Sequence, residues 1–444
     1  MRSSTVAAMT HASDRLGFAT RALHDSADAE GPHRPRATPI HLTAGFVFDD
    51  FDDGQARFAG AEGAYSYTRV SNPTNAAAER RIAALESGTG ALLVGSGQAA
   101  LATTLLALLT SGDHILASSA LYEGSREFIR SDLGRLGISA TLVDEIDNVE
   151  AWEQAIRPET KLLFAESIAN PRNQILDIAA IADVAHRHGI PLVIDSTLAT
   201  PALLRPLEHG ADIVVHSASK FLAGHGTVLG GFVVDAGRFA WTAERYPQFA
   251  DERGVDGLTT LERQGSLAFL EHARRVAMRF GPVPSPLNAF LIIQGIETLS
   301  LRVQRQSSSA LTIAEWLSTH PLVESVNYSG LASSPDHERA QRYLPDGQGS
   351  VFAVTVRGGI DGAREVNNAL ALFTPMTHLG DVRSLVLHPA TTTHLLRDEE
   401  SLRRSGIEGG TLRLSIGLEE PADLIADLDQ ALQLAATRLT VSAA

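Results

Sequence analysis

Lysine is scarce in this chain, and one of its two lysines stands in a setting that suits amine chemistry. Of 37 basic residues, only Lys161 and Lys220 are lysines, and the rest are arginines. Codon bias explains arginine at surface positions, but arginine cannot form a Schiff base, so a retained lysine is a candidate nucleophile. Lys220 follows the strand-like run DIVVHS into a polar cluster, where burial and nearby cations lower an amine pKa. Lys161 precedes the run LLFAES at its other end, and we interpret it as structural.

An acid at the end of a second apolar run suits the same cofactor chemistry as Lys220. Asp195 ends PLVID, and a carboxylate at the end of a buried strand is costly unless it is paired. A pyridinium nitrogen is a suitable partner, because the carboxylate keeps it protonated and the ring then withdraws electrons from a substrate α-carbon. Lys220 and Asp195 together predict pyridoxal 5′-phosphate (PLP) as cofactor and an amino acid as substrate. The alternative for Asp195 is a helix cap or a loop anchor.

Small and hydroxyl residues near these two positions suggest a phosphate site. Gly97 and Gln98 follow Ser96 at the start of a predicted helix, and helix N-termini attract phosphate through free backbone N–H groups. Ser217 and Ser219 flank the lysine segment and add hydroxyl donors. A tight turn between a strand and a helix is the alternative reading of these residues.

Further aromatic and cationic residues are candidates for binding the cofactor or the substrate. Tyr122, at a predicted strand end, could stack on a flat ring. Tyr67 and Arg69 precede the sheet, and the Arg69 guanidinium suits a phosphate, although both could be ordinary turn or interface residues. Arg413 lies inside an apolar strand and needs an anion, which is either a substrate carboxylate or a buried salt-bridge partner.

The composition excludes several classes of site and partner. The chain has 444 residues, a formal net charge of −15 and no cysteine, so disulfides, thiolate nucleophiles and Cys-ligated metals are excluded. We expect no metal at His388 and His394, whose spacing matches no known ligand set. No basic cluster indicates nucleic acid, and no apolar run is long enough to span a membrane. We expect a cytoplasmic protein whose residues 1–16 form a short extension rather than a signal peptide.

Alternating helix-like and strand-like segments over 75–235 predict an α/β domain with a mostly parallel sheet that is covered on both faces. Ligands of such sheets bind beyond the carboxyl ends of the strands, where Asp195 and Lys220 both stand. The run GSREFIRSDLGRLG predicts one amphipathic helix. We expect 236–285 to be an irregular excursion over the surface or the active-site mouth, and 287–319 to be one long helix.

Strand-like and helix-like segments mixed towards the C-terminus predict a second domain of α+β type. We therefore expect three regions, which are an N-terminal arm at 1–74, a large PLP-binding α/β domain at 75–285 and a smaller α+β domain at 286–444.

With these residues in view, the chain resembles the Cys/Met-metabolism PLP enzymes of fold type I. The resemblance runs from about residue 17 to 435, and its most specific segments are HSASKFLAGHG and VIDSTLATP. It implies a seven-stranded large domain and a homotetramer built from dimers that share active sites. It implies these roles: Lys220 as the Schiff-base anchor and proton shuttle, Asp195 on the pyridine nitrogen, Gly97, Gln98, Ser217 and Ser219 on the phosphate, Tyr67 and Arg69 on the phosphate of a neighbouring subunit, Tyr67 also near the substrate, Tyr122 stacked on the ring and assisting catalysis, Asn170 beside the phenolic oxygen and the substrate, and Arg413 on the α-carboxylate.

Within the family, the O-acetylhomoserine sulfhydrylase branch is most similar, which implies γ-replacement on an O-acylated homoserine by sulfide or a thiol. γ-Elimination and cystathionine synthesis are the nearest alternatives. A PLP-binding regulatory protein and a nucleotide-binding module are the other classes, but the nucleotide reading leaves Lys220 and Asp195 without a role. Gly124 stands where methionine γ-lyases tend to carry Cys. Three positions depart from the family pattern: His41, Ser196 and His378, the last of which replaces a Ser or Asn.

Overall fold

The computed structural model describes residues 16–24, 35–59, 63–251, 253–254 and 256–442. The predicted N-terminal extension over 1–16 lies outside these residues, apart from Leu16. Within the described ranges, no helix combines the length and the apolar character that crossing a bilayer requires.

A seven-stranded, mostly parallel sheet forms the first layer of the fold. Its strands are β1 (Gly90–Val94), β2 (His114–Ser118), β3 (Ser139–Val143), β4 (Thr160–Glu166), β5 (Leu192–Asp195), β6 (Ile213–Ser217) and β7 (Gly231–Asp235). Their order is β1-β7-β6-β5-β4-β2-β3, and only β7 runs antiparallel to its neighbours, β1 and β6. The predicted α/β class is confirmed, although β7 is absent from the predicted pattern.

Except for the edge strand β3, the strands are buried on both faces, as continuous apolar runs predict. On β4 and β5, Leu163 and Ile194 face one core cluster, whereas Phe164 and Val193 face the other. Helices cover both faces, and the described helices span Phe18–His24, Phe51–Phe58, Pro73–Leu85, Gly97–Leu108, Glu123–Glu127, Leu133–Arg135, Val149–Ala155, Ile178–Arg187, Thr200–Leu203, Thr260–Gln264, Ala268–Phe280, Pro286–Glu297, Leu299–Thr319, His337–Tyr343, Gly359–Ala369, Glu399–Arg404 and Pro421–Ser442.

A five-stranded sheet forms the second region. It contains β8 (Val323–Asn327), β9 (Val351–Val356), β10 (Thr374–Pro375), β11 (Leu385–Leu387) and β12 (Thr411–Ser415), in the order β10-β11-β12-β9-β8. A third core cluster fills the space between this sheet and the helices Gly359–Ala369 and Pro421–Ser442. A smaller second sheet accords with the predicted α+β region, whereas the predicted domain boundaries stay a prediction.

The expectation of an irregular excursion over 236–285 is wrong for its second half. Residues Ala268–Phe280 form a helix that buries Phe269 and Ala273 against the sheet. Arginines at 274, 275 and 279 leave few apolar positions in this segment, and its periodicity appears only when small alanines are counted as core residues.

The first half of that segment is not a surface excursion either. Trp241, Tyr246 and Phe249 are buried, and their rings pack against one another. The Tyr246 hydroxyl donates to the Lys161 carbonyl (2.8 Å), and Lys161 Nζ donates to the Arg245 carbonyl (2.9 Å). Because Lys161 lies at the start of β4, this segment packs at the opposite end of the sheet from Asp195.

Two predicted helices are interrupted. The helix expected over 287–319 is two helices, which end and begin around Thr298, where the backbone leaves the helical region (φ −111°, ψ 8°). The helix expected over 124–137 changes to a π-helical turn at Phe128–Asp132. Neither interruption contains a proline, which is the usual sequence signal of a helix break. The apolar pattern alone therefore predicted continuous helices.

Arg302 fastens the loop after Lys220 to the helix Pro286–Glu297. Its guanidinium donates to the carbonyls of Phe221 (2.8 Å), Leu222 (3.4 Å) and Gly295 (2.7 Å). The side chain is buried, and burial lowers the pKa of Arg302 to about 10. One cation therefore donates to three carbonyls, of which the Gly295 carbonyl also accepts from the Thr298 N–H (3.2 Å).

We expect Arg302→Met to destabilise the protein, because an apolar side chain of similar length removes the donor from the buried Phe221 and Leu222 carbonyls. The expected loss is ~2–3 kcal/mol in the free energy of unfolding. Urea denaturation of the apoprotein measures it, and Arg302→Lys, which keeps one charged donor group, should recover part of the loss. An unchanged urea midpoint in Arg302→Met would contradict this role.

Candidate active site

A cavity of about 270 Å³ opens at the carboxyl ends of β4, β5 and β6. Because neighbouring parallel strands end at the same edge of the sheet, residues distant in sequence meet there. The structure brings most of the predicted site residues to its wall: Gly97, Gln98, Tyr122, Asn170, Asp195, Ser217, Ser219, Lys220 and Arg413.

Lys220 lies partly buried in a turn that follows β6. Burial and the nearby positive charge of Arg413 lower the pKa of the Lys220 amine from 10.5 to about 8. Its Nζ atom lies 3.1 Å from His378 Nδ1. About a tenth of the amine is therefore unprotonated at pH 7, and this is the form that attacks an aldehyde.

Asp195 and Glu166 form a pair of acids at the ends of β5 and β4, where they are paired in register. Asp195 Oδ1 accepts a hydrogen bond from the Thr197 N–H (2.9 Å), and Glu166 accepts one from the Tyr122 N–H. Burial raises the pKa of both carboxyls, and the charge of Asp195 raises the pKa of Glu166 well above its usual value. Among the described residues, Glu166 Oε2 is buried without a hydrogen-bond partner.

Glu166 was not predicted from the sequence as a site residue. It closes the apolar run LLFAE just as Asp195 closes PLVID, so the same argument about a costly acid at a strand end would have identified it.

A buried histidine–glutamate pair lies next to Asp195 in the sheet. His216 Nε2 is 2.7 Å from Glu86 Oε1, and both side chains are fully buried. The charge of His216 lowers the pKa of Asp195 and opposes the effect of burial. This pair favours the ionised form of the acid that faces the cavity.

The helix Gly97–Leu108 points its N-terminus at the cavity. Ser96 caps it by accepting from the Ala99 N–H (3.0 Å), and the hydrogen bonds of the described residues leave the N–H groups of Gly97 and Gln98 unused. A Cβ on Gly97 would lie 2.5 Å from the Ser217 Cβ, so only glycine allows this close approach. Two free N–H groups beside a hydroxyl form a suitable cradle for a phosphate.

The Ser219 hydroxyl already has partners in the chain. It accepts from the Gly230 N–H (3.1 Å) and donates to the Gly230 carbonyl (3.3 Å). Its expected contact with a phosphate stays a prediction and would require the hydroxyl to give up one of these bonds.

Arg413 on β12 reaches the cavity from the second sheet. Its guanidinium donates to the His378 carbonyl (2.9 Å) and lies 3.5 Å from Asn170 Oδ1. It is 5% exposed, its Nε atom has no partner among the described residues, and burial lowers its pKa to about 10. No described carboxylate forms a salt bridge with Arg413, so the guanidinium is available to an anionic ligand.

Tyr122 extends along the cavity wall and is 49% exposed. Gly124 lies against its ring, because a Cβ at that position would lie 2.6 Å from Tyr122 Cε1. A larger residue at 124 therefore requires the ring to move.

Tyr67, Arg69 and His41 do not line this cavity within one chain. Arg69 donates to the Met278 carbonyl (2.6 Å), and Tyr67 is 48% exposed. His41 packs near Thr74 at the start of a helix. The roles expected of Tyr67 and Arg69 stay predictions that require a second copy of the chain.

Other residues considered from the sequence have local partners. Ser196 is buried with its hydroxyl 3.1 Å from that of Ser167. His388 bonds Thr391, and His394 lies 3.8 Å from Glu123. Across the described part of the chain, no three His, Cys, Asp or Glu side chains group closely enough to hold a metal ion.

Comparisons with known proteins place this geometry in context. The family described as Cys/Met metabolism PLP-dependent enzymes matches residues 19–433. O-acetyl-L-homoserine sulfhydrylase of Corynebacterium glutamicum is 42% identical over 423 residues, which cover 94% of this chain and 97% of the relative. L-methionine gamma-lyase of Pseudomonas putida is 38% identical over 429 residues, which cover 96% of this chain and all of the relative.

A solved structure is also closely similar. The Campylobacter jejuni protein described as an O-acetylhomoserine (thiol)-lyase superposes with a TM-score of 0.90 and 35% identity, covering 94% of this chain and 100% of that chain. That structure contains N′-pyridoxyl-lysine-5′-monophosphate.

The donor set of the cavity fits PLP. The free N–H groups of Gly97 and Gln98 suit a phosphate, the acids Asp195 and Glu166 suit a protonated ring nitrogen, and Lys220 suits an aldehyde. Because Gly97 has no Cβ, the Ser217 hydroxyl can lie close to the start of the helix, where it adds a donor to the free N–H groups.

The two lysines allow a matched test of the covalent anchor. We expect Lys220→Ala to abolish the absorption band near ~420 nm that a lysine-bound PLP shows. Lys161→Ala should keep the band, because Lys161 bonds the Arg245 carbonyl at the far end of β4. Borohydride reduction followed by peptide mapping measures the linkage, and PLP retained covalently in Lys220→Ala would refute the assignment.

The lowered pKa of Lys220 predicts a pH dependence. The rate at which the apoprotein captures PLP should rise about tenfold per pH unit below 8 and level off above it, because only the unprotonated amine reacts. Arg413→Gln removes the like charge and should move this midpoint upward. Stopped-flow absorbance measures both, and a midpoint near the ordinary 10.5 in the unaltered protein would contradict the environment described.

Proposed function

The chain belongs to the Cys/Met-metabolism family of PLP-dependent enzymes, and from that premise we propose that it replaces the γ-substituent of an O-acylated homoserine with sulfur. O-acetylhomoserine is the proposed substrate, and sulfide or a thiol is the proposed nucleophile. Relatives described as O-acetyl-L-homoserine sulfhydrylase or homocysteine synthase support this choice at 40–42% identity over most of the chain.

The observation that carries the proposal is the buried guanidinium of Arg413 near Lys220, which forms no salt bridge with any described carboxylate. A substrate α-carboxylate on Arg413 would gain charge-assisted hydrogen bonds that no described side chain supplies. It would also position the substrate Cα close to the Lys220 amine, since the charge of Arg413 is near enough to lower the pKa of Lys220. Orientation of this kind contributes to rate by fixing reacting atoms in place.

PLP, when bound, supplies an electron sink for the negative charge that forms on the substrate carbons. Asp195 would face the ring nitrogen and keep it protonated, with the nearby His216–Glu86 pair favouring its carboxylate form. Lys220, once released, would take the proton from Cα and return protons at Cα and Cβ as a general acid and base. Its pKa of about 8 suits both directions near neutral pH.

Tyr122 and Asn170 would complete the cavity. We propose that the Tyr122 ring stacks on the cofactor and that its hydroxyl assists proton transfer to the leaving group. Asn170, already near Arg413, would contact the phenolic oxygen and the substrate. In the net reaction, the Cγ–O bond breaks with its electrons leaving on acetate, and a Cγ–S bond forms as the sulfur nucleophile loses a proton.

γ-Elimination is the second candidate, because L-methionine gamma-lyase of Pseudomonas putida is also similar. Methionine γ-lyases tend to carry Cys at the position of Gly124. A Cβ there would lie 2.6 Å from Tyr122 Cε1, so the ring would have to move to admit such a side chain. Gly124 therefore favours replacement over elimination. Cystathionine formation would use the same steps with a thiol amino acid as nucleophile.

We also propose that the active protein is a homo-oligomer in which residues 40–59 and 63–70 of one copy cover the cavity of another. This segment exposes several large apolar side chains, and the helix Phe51–Phe58 buries none of its residues. The most exposed are Val47 (90%), Phe51 (85%), Phe58 (78%) and Leu42 (72%). An apolar surface of this extent favours protein contact, and it would bring Tyr67 and Arg69 to a neighbour's phosphate. A tetramer and a cytoplasmic location stay predictions.

A substrate panel tests the proposed reaction. With O-acetylhomoserine and sulfide, we expect homocysteine, and without sulfide we expect little 2-oxobutanoate. O-succinylhomoserine, O-phosphohomoserine, cystathionine and methionine test the acyl group and the lyase alternative, and O-acetylserine, one methylene shorter, is the matched control. Thiol and keto-acid assays measure the products, and abundant keto acid in the absence of sulfide would favour elimination instead.

A further inference from the structure

His378 contacts the reactive amine from the second region of the fold. Its Nδ1 atom lies 3.1 Å from Lys220 Nζ, a contact that joins residues 158 positions apart. The ring is partly buried, and among the described residues its Nε2 atom is buried without a partner. The family resemblance implies Ser or Asn at this position. The imidazole beside the lysine is therefore a departure from the expected pattern.

Burial and two nearby cations keep the imidazole neutral. Burial, followed by the charge of Lys220, lowers the pKa of His378 to about 4; Asp381 acts in the opposite direction and Arg413 in the same direction. Gly226 packs between the ring and Asp381, since a Cβ there would lie 2.5 Å from Asp381 Oδ2 and 3.9 Å from His378 Cδ2. A neutral imidazole that faces an ammonium group accepts a hydrogen bond through Nδ1, and its own hydrogen then resides on Nε2.

We propose that His378 is a positioning residue that accepts a hydrogen bond from the Lys220 amine. This hydrogen bond orients the other N–H bond and the lone pair of that nitrogen towards the cavity. The inference rests on the proposed function, in which Lys220 gains a proton from the substrate Cα. When that C–H bond breaks, the new N–H bond makes Lys220 an ammonium, and His378 Nδ1 stabilises it. The imidazole does not take the proton, so the charge stays on Lys220 until it is returned.

The backbone of the same residue acts on the substrate side. The His378 carbonyl accepts from the Arg413 guanidinium at 2.9 Å, and a side-chain substitution leaves this carbonyl in place. Effects on the lysine can therefore be separated from effects on the carboxylate clamp. Loss of the ring should alter proton transfer, whereas a displaced backbone should weaken binding of the amino acid.

The test compares His378→Leu, which removes the acceptor at similar volume, with His378→Asn, whose Oδ1 atom can replace Nδ1. The probe is PLP added to the apoprotein, and the readout is the pH midpoint of its capture. Removing the acceptor destabilises the ammonium form, so we expect His378→Leu to lower the midpoint by about half a unit to one unit and His378→Asn to restore it. If the leucine variant does not fold, His378→Ala removes the same acceptor.

Kinetics with the amino-acid substrate give a second readout. We expect His378→Leu to lower kcat by roughly tenfold with little change in KM, and His378→Asn to recover most of kcat. Equal midpoints in all three proteins, equal losses in both variants, or a change confined to KM would overturn the proposal. The PLP-capture measurement needs no substrate, so it remains decisive if γ-replacement itself proves incorrect.

Discussion

The constraint on which this cavity depends is the burial of two pairs of like groups, one of cations and one of acids, in which neither member can neutralise the other. Lys220 and Arg413 are two cations near each other, and Asp195 and Glu166 are two acids in register on neighbouring strands. Desolvation and like-charge repulsion make each pair unfavourable in the protein alone, as the lowered pKa of Lys220 and the raised pKa of both acids express. A ligand with a cationic ring nitrogen and an anionic carboxylate complements both pairs. PLP with an amino-acid substrate has this charge pattern.

The fold sustains these charges by fixing each one from a different element. Strand ends in register hold the acids, while the turn after β6 holds Lys220, and Arg302 ties that turn through carbonyl contacts. The second region contributes Arg413 from β12 and His378 from the loop between β10 and β11, so the two regions must keep their relative position for the amine and the guanidinium to meet. The proposed substrate-binding groups are therefore held by different structural elements from the proposed cofactor-binding groups.

Much of this arrangement could be predicted from the sequence. The parts that could not be predicted have one physical cause in common. Lys220 and Asp195 follow apolar runs directly, so a local pattern and the rule about strand ends located both. The mostly parallel sheet followed from the same runs. The helix Ala268–Phe280 and the buried aromatic segment around Tyr246 were missed, because alanine-rich and mixed segments gain their structure from packing partners distant in sequence. The contact between His378 and Lys220 bridges the two regions and has no local signal.

In the proposed site, Asp195 and Lys220 hold opposite ends of one PLP molecule whose phosphate lies at the start of the helix Gly97–Leu108. A crystal structure of the PLP-loaded protein tests it most directly. We expect continuous density from Lys220 Nζ to the cofactor, the ring nitrogen within hydrogen-bonding distance of Asp195, and the phosphate on the N–H groups of Gly97 and Gln98. A cofactor bound elsewhere, or one whose ring nitrogen faces away from Asp195, would contradict it.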